Sequence, residues 1–241
     1  MSNPSLWATD FQGKPYFYEY FGSNAKGVWK EQQRPSTRSS RMKITPGKQG
    51  IWIVDDIGET FFRYRVTLSD RLGQYWGRLL PNELRLRMIH YGANNEVIGV
   101  TDTGNLVSRQ GISSSSPTGI KWKVLGKGYK SVSVSFYGYW LIDRNNQVRF
   151  SSYTPSSNIV GELKTVLIPE VFKKVSAGFG SNVWALDFNG RVWQRMEINT
   201  LNPSGSRWQI LNELKLKDIS AGYDGLFGVT MDNEIIKYEG K

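Results

Sequence analysis

The sequence predicts an all-β chain, a six-bladed β-propeller of four-stranded antiparallel blades, and three observations carry the prediction. One thirteen-residue pattern recurs six times without gaps, a short β-branched segment precedes five of the copies, and a third segment, usually carrying tryptophan, comes earlier still in each unit. No helical periodicity lies between them, and four-stranded units of roughly 40 to 50 residues are the sequence signature of propeller blades.

The six hairpin copies start at Leu6 (LWATDFQGKPYFY), Ile51 (IWIVDDIGETFFR), Val97 (VIGVTDTGNLVSR), Tyr139 (YWLIDRNNQVRFS), Val183 (VWALDFNGRVWQR) and Leu226 (LFGVTMDNEIIKY). Successive starts are 45, 46, 42, 44 and 43 residues apart, a period too steady for coincidence. The second position is always large and apolar: Trp7, Trp52, Ile98, Trp140, Trp184 and Phe227. Because isoleucine and phenylalanine substitute there, the requirement is apolar volume, and core packing is the expected role. The eighth position is Gly13, Gly58, Gly104, Asn146, Gly190 and Asn233. Those residue types tolerate positive φ best, so a two-residue type I′ turn is expected at each tip. Asp10, Asp55, Asp143 and Asp187 recur just before the turn, where a carboxylate accepts hydrogen bonds from backbone amides.

The short leading strands read ITPG from Ile44, IHYG from Ile89, VSVS from Val132, VSAG from Val175 and ISAG from Ile219. The earlier segments are VWKEQQ, YWGRLL, KWKVLG, TVLIPE and RWQILN, beginning at Val28, Tyr75, Lys121, Thr165 and Arg207. The expected total is 22 strands, since the first hairpin lacks its leading strands and the last lacks a following tryptophan strand. The ring would then close near the two termini. A five-bladed ring with one spare hairpin is the rival, disfavoured because the spare would leave an apolar strand pair unpacked. The long polar connectors recur after each hairpin, so they gather on one face, and residues 1–241 are expected to form a single propeller domain.

Composition narrows the function classes. The chain has no cysteine and one histidine, His90, which excludes thiol catalysis, cysteine–zinc sites and His-ligated metal clusters. GKGYKS from Gly126 leads into a strand and does not open a helix as a phosphate-binding loop does. No enzyme chemistry and no cofactor is expected. No apolar run approaches the roughly 20 residues of a membrane span, and the start MSNPSLWATDFQG has no signal-peptide pattern. With zero cysteine, that leads to an expected cytoplasmic location, with release by a non-classical route as the other route considered. The net charge of +10 attracts polyanions, whether anionic glycans, lipid headgroups or nucleic acid, or serves solubility alone. The densest basic run, Arg34, Arg38, Arg41, Lys43 and Lys48, reads as a solvated loop.

The order of a Trp strand, a Leu-Lys-x-Ile-Ser-x-Gly segment, a Gly-x-Trp-Gly-Val strand and an Asp-x-Gly-x-Val-Tyr-x-Arg hairpin end resembles the tectonin repeat of fish-egg lectins and of fungal and slime-mould tectonins. WQILNELKLKDISAGYDGLFGVTMDNEIIKY from Trp208 and FKKVSAGFGSNVWALDFNGRVWQR from Phe172 carry the resemblance most clearly, while RMKITPGKQGIWIVDDIGETFFR keeps only the spacing. Fish-egg lectins typically carry cysteines, so the fungal or slime-mould type is the nearer resemblance. The resemblance implies a carbohydrate-binding lectin with several similar sites between blades, its glycans O-methylated sugars or bacterial lipopolysaccharide, acting in innate defence. No specific nucleic-acid partner and no transmembrane segment is expected, and homo-oligomers are allowed without a pattern that specifies one. The alternative is an intracellular interaction platform that binds a protein or an anionic membrane surface.

Three sets of residues are candidates for the ligand. Phe136, Tyr137, Phe179 and Tyr223 follow the short leading strand in Gly-flanked loops, where an aromatic ring has little core to join and can stack on the C–H face of a sugar. Lys48 and Ala93 occupy the matching positions in the weaker repeats. Trp29, Trp76, Trp122 and Trp208 stand on the outermost strand, as cleft walls or as packing. Arg63, Arg109 and Arg195 recur at the hairpin end, where Tyr18 and Tyr238 replace them elsewhere; they could donate to sugar hydroxyls or remain solvated strand-end charges. Trp193 has no tryptophan counterpart in the other copies and keeps a claim of its own.

Overall fold

The computed structural model describes residues 6–19, 27–67, 69–79, 84–92, 95–153, 163–222 and 225–238. Those residues form 21 strands. All six hairpins are present: β1 (Leu6–Thr9) with β2 (Pro15–Glu19), β5 (Ile51–Asp55) with β6 (Thr60–Tyr64), and β9 (Val97–Thr101) with β10 (Asn105–Gln110). The later three are β13 (Gly138–Asp143) with β14 (Gln147–Ser152), β17 (Val183–Leu186) with β18 (Arg191–Met196), and β20 (Leu226–Thr230) with β21 (Ile235–Tyr238).

The tryptophan strands β3 (Val28–Glu31), β7 (Tyr75–Arg78) and β11 (Lys121–Lys127), with β15 (Val166–Val171), lie at the outer edge of their sheets. The short leading strands β4 (Met42–Pro46), β8 (Leu86–Tyr91), β12 (Tyr129–Val134) and β16 (Lys174–Ala177) lie at the opposite edge. One strand departs from the pattern. β19 (Arg207–Ala221) pairs with β18 through its first part and with β20 from Leu216 onward, so it serves as outer strand of one unit and inner strand of the next.

This corrects the expected blade count. The fold is a β-propeller, but among the described residues its hydrogen-bonded sheets number five, not six: β1–β3, β4–β7, β8–β11, β12–β15 and β16–β21. The cause is local. The comparable joint between β11 and β12 turns at Gly128, with φ 88°, whereas Arg207 to Ala221 contains neither Gly nor Pro to break the strand. The rival reading had the count of five, but its sixth hairpin is not left unpacked: Leu226, with Ile236 and Tyr238, joins the cluster of Trp184, Leu186 and Val192. Near the two termini β1 and β20–β21 wall the same central cavity, and among the described residues they belong to different sheets.

Blade-on-blade burial follows the second hairpin position. Trp52, Trp140 and Trp184 are about 1% exposed and Trp7 is 7% exposed, each packed on the next unit as the volume argument requires. The tips differ from the expectation. In each copy the eighth residue alone has positive φ, from 64° at Asn146 to 85° at Gly104, and its N–H donates to the carbonyl of the fifth residue, as in Gly13 N to Asp10 O at 3.0 Å. A type I′ turn needs two positive-φ residues; one such residue after a type I turn is the three-residue hairpin with a G1 bulge. The Asp role holds: Asp187 Oδ1 accepts from Asn189 N and Arg191 N, both at 2.9 Å, and Asp10, Asp55 and Asp143 do the same in their turns. At Gly190 an added Cβ would meet the Leu216 carbonyl oxygen at 3.0 Å with φ at 79°. Gly190→Ala is therefore expected to lower stability by about 1 to 2 kcal/mol, read from chemical denaturation.

Candidate functional site

Antiparallel order places the loops between inner strands and hairpins on one end of the propeller, together with the long connectors, and the hairpin tips on the other. On the loop end, Ser135 to Gly138 form a tight turn: Ser135 Oγ donates to Gly138 O at 3.0 Å and accepts from Tyr137 N and Gly138 N. That turn leaves Phe136 45% exposed. The next loop is closed by Gly178 N donating to Asn182 O at 2.7 Å, and Gly178 is required because a Cβ there would lie 2.2 Å from the Gly222 carbonyl oxygen. It leaves Phe179 46% exposed.

These loops come from different sheets, and their rings meet. The Phe136 and Phe179 centroids are 5.8 Å apart, and Tyr137 stands edge-on to Phe136 at 5.2 Å while its base packs on the Trp140 core. Tyr223, the fourth member of the predicted set, lies outside the described residues, as does Ala93. Phe179 also borders the central cavity of about 710 Å³, whose wall includes Lys48, Tyr91 and Asn95, with Tyr91 Oη donating to Asn95 Oδ1 at 2.7 Å. Burial raises the Tyr91 phenol above its ordinary value, so it is a neutral donor.

The arginines are not solvated strand-end charges, which corrects one of their two readings. Arg63, Arg109 and Arg195 are 6%, 5% and 6% exposed, and each guanidinium turns inward onto the connector that follows it. Arg63 Nε donates to Leu72 O at 2.9 Å and Nη2 to Gly73 O at 3.3 Å. Arg109 donates to Thr118 O at 2.6 Å and Gly119 O at 3.5 Å, and Arg195 to Ser204 O at 2.7 Å and Gly205 O at 3.1 Å. Gly73, Gly119 and Gly205 all have φ near 65°, at 65°, 66° and 64°.

The opposite strand supplies the other half of each clamp. Arg63 pairs in register with Trp76, Arg109 with Trp122 and Arg195 with Trp208, and the guanidinium carbons sit 5.2, 5.1 and 5.2 Å from the ring centroids. Trp29 pairs in register with Tyr18 in place of an arginine, the two rings tilted with centroids 5.0 Å apart. All four tryptophans are half-buried. In the fourth hairpin both are absent: Ser151 takes the arginine position and β15 carries no tryptophan. Each cation holds two carbonyls and an indole face, so the connector is fixed by its own blade. Trp193 is likewise engaged, its Nε1 donating to Asp187 Oδ2 at 3.3 Å.

A second repeated device was missed by the sequence reading. The second residue of four of the inner-strand tetrapeptides bonds to the next inner strand along: Thr45 Oγ1 donates to Ile89 O at 2.9 Å, His90 Nδ1 accepts from Val134 N at 3.2 Å, Ser133 Oγ accepts from Ala177 N at 2.8 Å and Ser176 Oγ accepts from Ala221 N at 2.8 Å. The partners lie 44, 44, 44 and 45 residues apart. The signal was present in the tetrapeptides ITPG, IHYG, VSVS, VSAG and ISAG, whose second residue always carries a hydrogen-bonding group. Among the described residues no group of three or more His, Cys, Asp or Glu side chains is placed to hold a metal ion.

Blades of antiparallel strands around a cavity, with arginine-clamped connectors on one end, define a propeller of repeated units. The tectonin domain model matches residues 5–216, and the chain belongs to the tectonin family. Solved structures with the same fold include yeast RCC1 (Prp20), 10% identical with a TM-score of 0.60 over 96% of this chain and 67% of that one. YCF48 from Cyanidioschyzon merolae is 13% identical with a TM-score of 0.59, over 98% of this chain and 79% of that one. Virginiamycin B lyase from Staphylococcus aureus is 16% identical with a TM-score of 0.55, over 96% and 78%. Identities this low show the fold alone. No curated protein matches the chain in sequence.

Proposed function

We propose that the protein is a non-catalytic lectin that binds glycans at the rim where the loops of adjacent blades meet. One observation carries the reading: Phe136 contacts Tyr137 in its own loop and Phe179 in the next sheet's loop, while Phe136 and Phe179 keep nearly half of their surface in water. Exposed contacting rings present a flat apolar surface of the kind that sugar C–H faces stack on, and Tyr137 brings a phenol to the edge of that surface. The adjoining cavity offers neutral donors and acceptors at Tyr91 and Asn95 for hydroxyls. Membership of the tectonin family supports the same reading. The arginine and tryptophan set shapes the connectors that frame the rim and does not itself meet the sugar, and Tyr223 would extend the rim to the last repeat. O-methylated sugars or lipopolysaccharide remain the ligand classes we favour, since a methylated hydroxyl adds an apolar bump suited to the aromatic rim.

A glycan array that includes methylated sugars, lipopolysaccharide and sphingolipid headgroups tests this. Phe136→Ser with Phe179→Ser is expected to weaken binding at least about tenfold, equivalent to ~1.4 kcal/mol, with an unchanged thermal midpoint. Absence of sugar binding at millimolar ligand, or full binding by the double variant, would sink the reading.

A further inference from the structure

The end of the propeller opposite the aromatic rim carries features that glycan binding does not use. Its outermost points are hairpin tips, and four of them bear large exposed apolar side chains: Phe11 at 85%, Ile57 at 43%, Phe188 at 59% and Met231 at 56%. The turn itself does not ask for them. The central positions of a type I turn accept most residues, and the other two tips carry Asp102–Thr103 and Arg144–Asn145 there. Connectors on the opposite end expose Ile120 and Leu201 as well, but at the tips the exposure recurs at the same central turn positions of successive repeats, which points to an apolar partner.

Between the tips and the cavity lie the starts of the inner strands, and these are basic. Arg87, Lys130, Lys173 and Lys217 occupy one equivalent position, two residues before the β-branched residue of the inner strand, and Lys43 stands beside it in β4. Each is held by a neutral acceptor: Lys43 donates to Arg87 O at 3.1 Å, Arg87 to Asp102 O at 3.0 Å, Lys130 to Asn146 Oδ1 at 2.6 Å, Lys173 to Lys217 O at 3.4 Å and Lys217 to Asn233 Oδ1 at 2.8 Å. Such bonds orient a cation without cancelling its charge. Of the carboxylates on this end, Asp218 pairs with Lys174 at 2.7 Å, Asp56 is held by Ser39 and Ser40, Asp10, Asp55, Asp143 and Asp187 accept backbone amides of their own turns, the last two also pairing with Arg149 and Arg191, and Asp102 and Asp232 lie at the tips. Partial burial, then the cations of Lys174 and Arg87, push the Lys43 ammonium below its ordinary value, as expected where positive charges converge.

The two features are level with each other. Tip carbonyls accept from the next inner strand, as Gly58 O does from Leu86 N at 3.1 Å and Gly190 O from Leu216 N at 2.9 Å, and the inter-blade bonds at Thr45, His90, Ser133 and Ser176 keep the inner strands in step. We propose that this end docks on an anionic lipid bilayer, the tips entering the headgroup layer and the lysines and arginines facing acidic headgroups. Apolar side chains set around a basic patch match an anionic interface, whereas a soluble polyanion would use only the cations. The aromatic rim then points away from the membrane.

The test is co-sedimentation of the whole protein with vesicles of phosphatidylcholine alone and of phosphatidylcholine with phosphatidylserine, beside heparin-column retention. Binding is expected only to the anionic vesicles. Phe11→Ser with Phe188→Ser should weaken it about tenfold or more, and Lys173→Gln with Lys217→Gln should weaken it by roughly fivefold per charge removed. The tip variant should elute from heparin as the parent does, and both variants should keep the parental thermal midpoint and glycan-array profile. No vesicle binding at low salt overturns the proposal. So does vesicle binding that the tip substitutions leave unchanged, which would identify a soluble acidic partner instead.

Discussion

Replacing Arg195 by methionine is expected to destabilise the protein by about 2 to 4 kcal/mol, because two charge-assisted hydrogen bonds and a cation–π contact vanish together at a buried position. The Ser204 and Gly205 carbonyls lose their donors, and the indole of Trp208 loses the guanidinium that covers it. Part of the loss is offset, since methionine removes a buried charge; burial already pulls the Arg195 guanidinium below its ordinary value, with Glu170 acting the other way. Arg195→Lys should recover little, because an ammonium cannot span both carbonyls and stack on a ring. Urea unfolding gives the magnitude, and faster amide exchange confined to the connector around Gly205 would show where the loss lies. A stability change under about 0.5 kcal/mol, the size of an ordinary surface substitution, would show that the clamp does not hold the connector.

The second large effect is a dependence of stability on acid that rests on His90. Its Nδ1 accepts from the Val134 N–H, so the ring proton sits on Nε2 and points to Ser133 Oγ at 3.1 Å. A second proton would set one N–H against another. Burial, with the charge of Lys174 across the cavity, pushes the imidazole down to about 4 from 6.5. The folded value lies below the unfolded one, so the unfolded chain binds the extra proton first. Stability is complete above pH 6.5 and falls as pH drops toward 4, by up to about 3 kcal/mol, less what cavity water screens at this half-buried ring. His90→Ser is the informative variant. Serine stands at the same position of three other repeats, where Ser133 and Ser176 accept the equivalent N–H, so the substitution should keep the inter-blade bond and flatten the profile between pH 4 and 6.5 relative to the parent. Parallel profiles for parent and variant would assign the acid sensitivity elsewhere.

Much of this was legible before any coordinates. The hairpin copies, the tip residues of positive φ, the carboxylates that close the turns and the buried second-position tryptophans follow from the repeat alone, because each depends on residues a few positions apart. The arginine clamp was legible too but was not read: Arg63, Gly73 and Trp76, Arg109, Gly119 and Trp122, and Arg195, Gly205 and Trp208 keep one spacing throughout. What hid it was the assumption that a charge at a strand end faces water. The turn type went wrong for a similar reason, since Asn-Gly fits a type I′ turn as readily as a G1 bulge, and the strand register decides between them.

The sequence by itself determined the strands, their hairpins and their order, since alternation and turn chemistry are local and repeat with the chain. Only the tertiary structure decided that β19 runs unbroken through two units to leave five sheets, that the arginines turn inward onto connector carbonyls, and that Phe136 meets Phe179 across a blade boundary while keeping its exposure. The physical reason is distance along the chain. Contacts between blades join residues about one repeat apart, and their outcome depends on how whole sheets pack and not on any pattern within one of them.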